Sequence, residues 1–263
     1  MAIDRKVSFG IVLAIALAVA GLFLFAGSQH LPRRYRVDAD TQRIVRDDFT
    51  VVPDFLTPKP ILLTIDDGPG NTSVDLKMLA ILNKHHARAL WFVVCMNMDP
   101  AVSPAASEHR QVLAKIAAAG QVVGNHSYHH LHLRTLDLQA SPLVAEEISG
   151  CSRMIESITG ARPKFFRSPY GEVPPEHEAG VIRAERMQVV EWTSNTFDSL
   201  LQKFKTHPQT YLDYVNHNPA FDVAGKAERG DILLMHDYPN TALALDELLT
   251  RLEKKGFVFV APD

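Results

Sequence analysis

The chain has 263 residues, of which 46% are hydrophobic and 22% are charged, and its formal net charge is −3. These proportions are typical of a globular protein, and the small negative charge argues against a nucleic-acid binder, which usually presents a strongly basic face. The two cysteines, Cys95 and Cys151, allow at most one bridge, which excludes a disulfide scaffold, and we expect both to be buried reduced thiols.

An apolar segment lies near the N-terminus. Residues 9–26 form an uninterrupted apolar run, and about 18 residues is near the minimum length for crossing a bilayer. Basic residues flank the run on both sides, so loop charge does not orient it. The small-x-small site at residues 18–20 lies inside the run, which argues against cleavage there. We expect residues 1–27 to be a membrane anchor in the lipid bilayer, with a cleaved signal and secretion as the alternative. Either way, the rest of the chain is expected outside the cytoplasm.

Residues 28–57 are polar and charged, and we interpret them as a linker to a domain at residues 58–263. In that domain, apolar runs alternate with amphipathic stretches. The predicted strands cover residues 61–65, 89–94, 121–124, 164–166, 187–192, 231–235 and 257–260. The predicted helices cover residues 73–84 (with Thr72 or Ser73 as N-cap), 110–119, 142–159, 175–186, 208–217 and 241–255.

This alternation of strands and helices predicts an α/β fold in which helices cover a parallel sheet. About seven units favour a closed barrel, and an open doubly wound sheet is the alternative. The first strand is not followed by a glycine-rich phosphate loop, so a nucleotide-binding fold is disfavoured.

Polar clusters follow five of the predicted strands. They are Asp66–Asp67, residues 126–130, residues 167–171, Asp198, and His236–Asp237. In a β/α barrel the carboxyl ends of all strands lie on one face, and that face holds the active site. The clusters therefore predict one site built from five strand ends.

Three of these residues predict a metal site. His126 and His130 are four residues apart, as in one helical turn, so their imidazoles can converge on one point. Asp67, from another strand end, would complete two nitrogens and one oxygen, which is typical of a catalytic zinc site with an open position. Zn²⁺ suits this set best, although Co²⁺, Ni²⁺ or Mn²⁺ could bind it as well.

Asp66 is left free to act as a general base. Adjacent residues on an extended backbone point in different directions, so Asp66 can face a water molecule while Asp67 binds the cation. A divalent metal lowers the pKa of water, so a carboxylate can accept its proton near neutral pH. Arg167 could pair with Asp66 and favour its ionised form. The backbone N–H of Tyr170 could stabilise an oxyanion.

His236 is the candidate general acid. It follows a strongly apolar strand, and the carboxylate of Asp198 could hold its ring protonated. Asp237 is the rival for that role, or else a simple turn residue.

Together these residues resemble the polysaccharide deacetylases of the NodB-homology type, carbohydrate esterase family four. The matching motifs, in order, are residues 64–69 (TIDDGP), 126–130 (HSYHH), 167–171 (RSPYG), 192–198 (WTSNTFD) and 234–236 (LMH). The resemblance covers residues 58–263, and the first three motifs in this order are highly specific.

The resemblance implies a distorted (β/α) barrel and a metal-dependent hydrolase that removes N-acetyl or O-acetyl groups from glycans. It implies the roles already suggested for the site residues and adds Leu234 as part of a pocket for the acetyl methyl group. The family usually has Trp directly after Asp198, whereas this chain has Ser199. The smaller side chain leaves room for a wider pocket or another acyl group.

We therefore expect a membrane-tethered deacetylase whose substrate is an acetylated glycan, with peptidoglycan favoured over chitin-like oligomers and an exopolysaccharide. A small-molecule amidase with the same metal site is one alternative. A glycan-binding pseudoenzyme is the other, and it would lack a base or a metal ligand. The oligomeric state does not follow from the sequence.

Overall fold

The computed structural model describes residues 59–138, 142–199 and 222–262, together with the backbone of two short strands at Tyr35–Val37 and Arg43–Arg46. The predicted anchor at residues 1–27 and the predicted helix at 208–217 lie outside the described residues. In the part that is described, no helix is both long and apolar enough to span a membrane. The described residues belong to one compact unit, residues 35–263.

Ten strands form a mainly parallel sheet. They are β1 Tyr35–Val37, β2 Arg43–Arg46, β3 Lys59–Asp66, β4 Ala89–Val93, β5 Val122–Asn125, β6 Phe165–Phe166, β7 Gln188–Val190, β8 Ser194–Asn195, β9 Ile232–His236 and β10 Phe257–Phe259. Their order is β1-β2-β7-β6-β5-β4-β3-β9-β8, and β10 pairs with the start of β3. All seven predicted strands are confirmed, with ends shifted by no more than two residues.

The seven strands from β7 to β8 form a curled half-barrel, which is consistent with the predicted distorted (β/α) barrel. In the described part of the chain, β1 and β8 end the sheet without pairing with each other. β2 pairs in parallel with β7, and β1 pairs with β2 in an antiparallel hairpin. Both strands fall within the stretch interpreted as a linker, where the polar composition did not indicate them.

Helices follow most strands. They are α1 Thr72–Lys84, α2 Ala106–Ala118, α3 Leu133–Leu138, α4 Leu143–Ala145, α5 Cys151–Thr159, α6 Glu176–Ala184, α7 Val223–Lys226 and α8 Pro239–Lys254. The N-cap of α1 is Asn71, whose side chain accepts the N–H of Val74, and the prediction of Thr72 or Ser73 was wrong. The predicted helix at 142–159 consists of α4, a π-helical turn at Glu146–Gly150, and α5.

Side chains alternate between the two faces of the central strands. Odd-numbered residues such as Ile65 and Trp91 pack against the helices in the largest hydrophobic cluster. Even-numbered residues such as Leu62 and Phe92 pack inside the curled sheet. Asp66 continues this interior face at the carboxyl end of β3, so the alternation places its carboxylate at the mouth of the half-barrel.

The expectation of reduced thiols was wrong, because Cys95 and Cys151 form a disulfide. Cys95 follows β4 and Cys151 begins α5, and their Cα atoms are 5.3 Å apart, within the range that a bridge requires. The two residues are 56 positions apart in the chain, so only the packing of α5 against the end of β4 reveals their proximity.

Candidate active site

Two adjacent carboxylates end strand β3. Asp66 is the last residue of the strand and is almost fully buried. Asp67 has a left-handed backbone with φ of 77°, a conformation that Asp tolerates better than most residues. Oδ2 of Asp66 and Oδ1 of Asp67 both lie 3.7 Å from Nε2 of His126, so the two carboxylates approach the same place. The extended backbone assumed from the sequence, with the two side chains pointing in different directions, was wrong at this point.

Asp67, His126 and His130 each bring one ligand atom to a common point. Oδ1 of Asp67 lies 3.7 Å from Nε2 of His126 and 3.4 Å from Nε2 of His130. Ligand atoms held about 2.0–2.1 Å from a tetrahedral zinc ion stand about 3.3 Å apart, so this donor set fits a divalent cation. The structure thus brings together the three residues that the sequence predicted as ligands.

The two ligand histidines lie on a loop, and the helical turn assumed for them was wrong. Residues 126–132 contain no helix, and Ser127 and His130 both have left-handed backbones, with φ of 68° and 57°. The Nδ1 atom of His126 lies 2.7 Å from the carbonyl oxygen of Arg167. A carbonyl can only accept, so Nδ1 carries the proton and Nε2 keeps its lone pair for a cation.

The electrostatic surroundings favour a neutral ring at His130. Burial and the neighbouring charge of His126 lower the pKa of His130, although the carboxylates of Asp67 and Asp66 oppose this. Metal ligation requires neutral imidazole, so the lowered pKa is compatible with a ligand role.

The buried side chain of Glu147 holds the histidine loop from one side. Its Oε2 atom accepts the backbone N–H groups of Tyr128 at 3.1 Å and His129 at 2.8 Å, and Oε1 lies 2.6 Å from Nδ1 of His129. Glu147 lies on the π-helical turn Glu146–Gly150, a feature often found at functional sites. Sequence reasoning missed this residue, because an acidic residue on an amphipathic helix is usually a solvated one.

The segment that directly follows β4 holds the same loop from the other side. The N–H groups of Cys95 and Met96 donate to the carbonyls of Ser127 at 3.2 Å and Tyr128 at 2.7 Å. The disulfide from Cys95 to Cys151 ties this segment to α5, which begins directly after the π-helical turn that carries Glu147. The bridge therefore joins the two supports of the loop.

Arg167 is buried in the half-barrel and pairs with Asp66. One guanidinium nitrogen donates to Oδ1 of Asp66 at 2.7 Å and to the hydroxyl of Thr64 at 2.8 Å. The guanidinium also lies over the rings of Phe92, at 4.4 Å, and Trp192, at 5.5 Å. This packing fixes the arginine and leaves Oδ2 of Asp66 facing the ligand set, 3.7 Å from Nε2 of His126.

His236 is held by Asp198. Oδ1 of Asp198 lies 2.7 Å from Nδ1 of His236, and Oδ2 accepts the backbone N–H of His236 at 2.7 Å and the hydroxyl of Thr241 at 2.7 Å. Burial opposes the charged form of His236. The hydrogen bond and charge of Asp198, with the charges of Asp66 and Asp67, outweigh it and raise the pKa of His236 to about 9. The ring is therefore a proton donor at neutral pH.

Asp237, the rival partner for His236, points elsewhere and forms a buried carboxyl pair with Asp75. Oδ2 of Asp237 accepts the N–H of Gly70 at 2.9 Å, and Oδ2 of Asp75 accepts the N–H of Asn71 at 3.2 Å. Burial raises the pKa of Asp75 to about 7, and burial with the nearby Asp75 carboxylate raises the pKa of Asp237 well above its ordinary value. The pair braces the turn that follows Asp67.

The remaining predicted residues border the same mouth. Tyr170 has a left-handed backbone, with φ of 61°; its ring centroid lies 4.6 Å from that of His130, and its hydroxyl donates to the His130 carbonyl. Leu234 is buried on β9, two residues before His236 and on the same face of the strand. The N–H of Ser199 donates to Oδ1 of Asp198 at 2.8 Å, and residues 200–221 lie outside the described part.

A family model described as "Polysaccharide deacetylase" matches residues 56–188, just over half of the chain. This chain belongs to the polysaccharide deacetylase family. The resemblance drawn from the sequence motifs is thereby confirmed. The matched region contains Asp66, Asp67, both ligand histidines and Arg167, whereas Asp198 and His236 lie beyond it. In this polysaccharide deacetylase Asp198 follows β8 and His236 ends β9, with Oδ1 of Asp198 2.7 Å from Nδ1 of His236.

Relatives of this polysaccharide deacetylase include a peptidoglycan-N-acetylglucosamine deacetylase of Bacillus cereus, 27% identical over 205 residues, which are 76% of this chain and 66% of that protein. The chain thus spans just under two thirds of that relative. The solved structure of a family 4 carbohydrate esterase from Streptomyces lividans in complex with acetate has a TM-score of 0.61 at 26% identity, covering 78% of this chain and 98% of that one. A CE4 family pseudoenzyme from Bacillus anthracis has a TM-score of 0.60 at 26% identity, covering 77% and 63%.

Proposed function

We propose that this chain is a metal-dependent deacetylase that hydrolyses the N-acetyl groups of a cell-envelope glycan, most of all peptidoglycan or another N-acetylglucosamine polymer. One observation carries the proposal: the carboxylate of Asp66 and the imidazole of His236 end two paired strands beside the same three-ligand set. The raised pKa of His236 favours its protonated form. Hydrolysis of an amide needs a base for the attacking water and an acid for the departing amine, and this site offers both.

Asp66 is the proposed base. A divalent cation held by Asp67, His126 and His130 would polarise the acetyl carbonyl and lower the pKa of water. Asp66 accepts a proton through Oδ2, the oxygen that Arg167 leaves free and that faces the ligand set. Because Arg167 is fixed by packing, it holds the Asp66 carboxylate in one orientation throughout the reaction.

His236 is the proposed acid. Asp198 holds its Nδ1, so the opposite nitrogen, Nε2, is the one that can give a proton to the amine nitrogen as the carbon–nitrogen bond breaks. The hydrogen bond to Asp198 also keeps the ring oriented after it has given up its proton. The products are acetate and a free amine on the sugar.

The acyl group is proposed to lie between Tyr170 and Leu234. The ring of Tyr170 lies 4.6 Å from that of His130, and its backbone N–H is the proposed donor to the oxyanion. Leu234 offers an apolar contact for the acetyl methyl group. Ser199 stands where the family usually has Trp, so O-acetyl groups or longer acyl groups are further substrates to compare.

A glycan in the cell envelope is favoured as the substrate because the Bacillus cereus relative is a peptidoglycan-N-acetylglucosamine deacetylase. The disulfide supports a location of the domain outside the cytoplasm, since such bridges persist in oxidising compartments. We propose that residues 1–27 hold the domain at the membrane surface, close to such a polymer. Protease added to spheroplasts should then digest the domain, and complete protection would contradict this placement.

A pseudoenzyme is the second candidate, because a CE4 family pseudoenzyme is among the structural relatives. In this chain Asp66, His236 and all three ligand residues are present and face one another. That completeness favours catalysis over glycan binding alone.

The test is acetate release by the purified full-length chain in detergent, with Zn²⁺ and with a chelator. The substrates are intact peptidoglycan, N-acetylglucosamine oligomers and small N-acetyl amides. Release from the glycans that stops with chelator supports the proposal. Release from the small amides alone indicates the amidase, whereas metal binding without any release contradicts hydrolysis. Failure to bind metal would favour the pseudoenzyme.

A further inference from the structure

Tyr238 contacts the ligand set from a position that no motif indicates. It follows β9, two residues after His236, and its side chain is partly buried. Its hydroxyl donates to Oδ2 of Asp67 at 2.9 Å. The other oxygen of Asp67, Oδ1, is the one that faces Nε2 of His126 and His130. The two oxygens of Asp67 therefore have different partners.

The ring of Tyr238 also supports His236. The two rings are parallel within 5°, with centroids 5.0 Å apart. The backbone N–H of Tyr238 donates to the carbonyl of His236 at 2.8 Å. Asp198 fixes one edge of the His236 ring, and Tyr238 packs against one of its faces. The orientation of His236 thus depends on a side chain that also touches the ligand carboxylate of Asp67.

We propose that Tyr238 is a positioning residue that makes Asp67 a one-oxygen ligand and couples the ligand set to the orientation of His236. The proposal rests on the metal site of the proposed function but not on its glycan substrate. A phenol is a neutral donor at physiological pH, so its bond to Oδ2 opposes two-oxygen binding by Asp67 and directs Oδ1 toward the imidazoles.

The direct test compares Tyr238→Phe with the unaltered full-length chain. Phenylalanine keeps the ring and removes only the hydroxyl. We expect the dissociation constant for Zn²⁺, measured by competition with a chromogenic chelator, to rise by about 10–100-fold, as is usual when a hydrogen-bond partner of a ligand is lost. Thr193→Val is the matched control, because it removes a hydroxyl that donates to another aspartate, Asp231, at 2.8 Å, before the start of β9 and away from His236. Equal zinc affinity in Tyr238→Phe and the unaltered chain would overturn the proposal.

A spectroscopic measurement separates positioning from a general loss of stability. With Co²⁺ as the probe, the visible d–d bands report the number and type of ligand atoms. We expect Tyr238→Phe to change the position or intensity of these bands and Thr193→Val to leave them unchanged. Identical cobalt spectra in the Tyr238→Phe and unaltered chains would show that Asp67 binds in the same way without the hydroxyl. Both measurements are made without substrate, so they stand even if no glycan is hydrolysed.

The coupling to His236 is tested with Tyr238→Leu, which removes both the hydroxyl and the stacked ring. At saturating Zn²⁺, we expect a lower kcat than in Tyr238→Phe with a similar KM, because the acid is misoriented while Tyr170 and Leu234, proposed to hold the acyl group, are unchanged. Equal kcat in the two variants would overturn the role assigned to the stacked ring.

Discussion

Asp198 binds His236 through both of its carboxylate oxygens, one to the ring Nδ1 and one to the backbone N–H, each at 2.7 Å. The double contact ties the orientation of the imidazole to the backbone of β9. It also raises the pKa of His236 to about 9, because the buried imidazolium faces a fixed carboxylate.

Replacement of Asp198 with Asn should lower the pKa of His236 toward the ordinary value of 6.5. The pKa is raised in the folded chain, so the stability that His236 contributes is fully present below pH 6.5 and is lost as the pH rises through about 9. In metal-free protein, Asp198→Asn should therefore lower the free energy of unfolding most below pH 6.5, and this loss should become smaller as the pH approaches 9. NMR titration of the ring and chemical denaturation across this range measure both effects. A His236 pKa that stays near 9 in the variant would contradict the role given to Asp198.

Asp66→Asn and His126→Ala should separate catalysis from metal binding. Asp66→Asn removes the base but no ligand atom, so we expect kcat to fall by about 10²–10⁴-fold with little change in zinc affinity. His126→Ala removes a ligand and should weaken zinc binding by more than the roughly 10–100-fold that the loss of a ligand's hydrogen-bond partner costs. His132→Ala is the control for metal binding, since His132 pairs with Glu172 at 2.9 Å. A fully active Asp66→Asn variant would show that another group is the base.

Glu147→Gln should destabilise the histidine loop without touching the ligand set. The carboxylate accepts two backbone N–H groups, and hydrogen bonds to a charged group contribute about 1.5–3 kcal/mol each. We expect a loss of about 1.5–3 kcal/mol in the free energy of unfolding and a lower affinity for zinc. Glu146→Gln is the matched control, because its exposed pair with Arg153 contributes at most about 1 kcal/mol. Similar losses in the two variants would show that Glu147 does not support the loop.

The Cys95→Ala, Cys151→Ala double variant should lose both stability and metal affinity. A bridge between residues 56 positions apart stabilises by about 4 kcal/mol in the chain-entropy account. The bridge also joins the two supports of the histidine loop, so zinc affinity measured well below the unfolding temperature should fall as well. Unchanged zinc affinity in a variant that is clearly less stable would limit the bridge to a role in folding.

The alternation of apolar runs and amphipathic stretches was enough to predict the strands, because a buried parallel strand needs a short continuous apolar segment. The parallel arrangement then placed Asp66, His126, Arg167 and His236 at one end of the sheet. The ends of the helices were less well predicted. The N-cap of α1 is Asn71 and not Thr72 or Ser73 as predicted, because several polar residues in succession could each cap the helix.

Reasoning from local spacing failed where the backbone leaves regular structure. His126 and His130 converge through two left-handed residues of a loop and not through a helical turn. Asp66 and Asp67 both approach His126, and Asp67 has a positive φ in place of the extended backbone expected there. Single residues with left-handed backbones carry no periodic signal in the sequence, so the three predicted ligand residues come together in a way that local spacing did not predict.

The sequence by itself determined the types of the candidate site residues and their places after successive strands, because both can be read directly from the chain. Only the tertiary structure decided how they are supported. Glu147 beneath the histidine loop, the bridge from Cys95 to Cys151, and Tyr238 between Asp67 and His236 all depend on contacts between segments distant in the chain. Such contacts arise when the strands curl and the helices pack, and no local pattern records them.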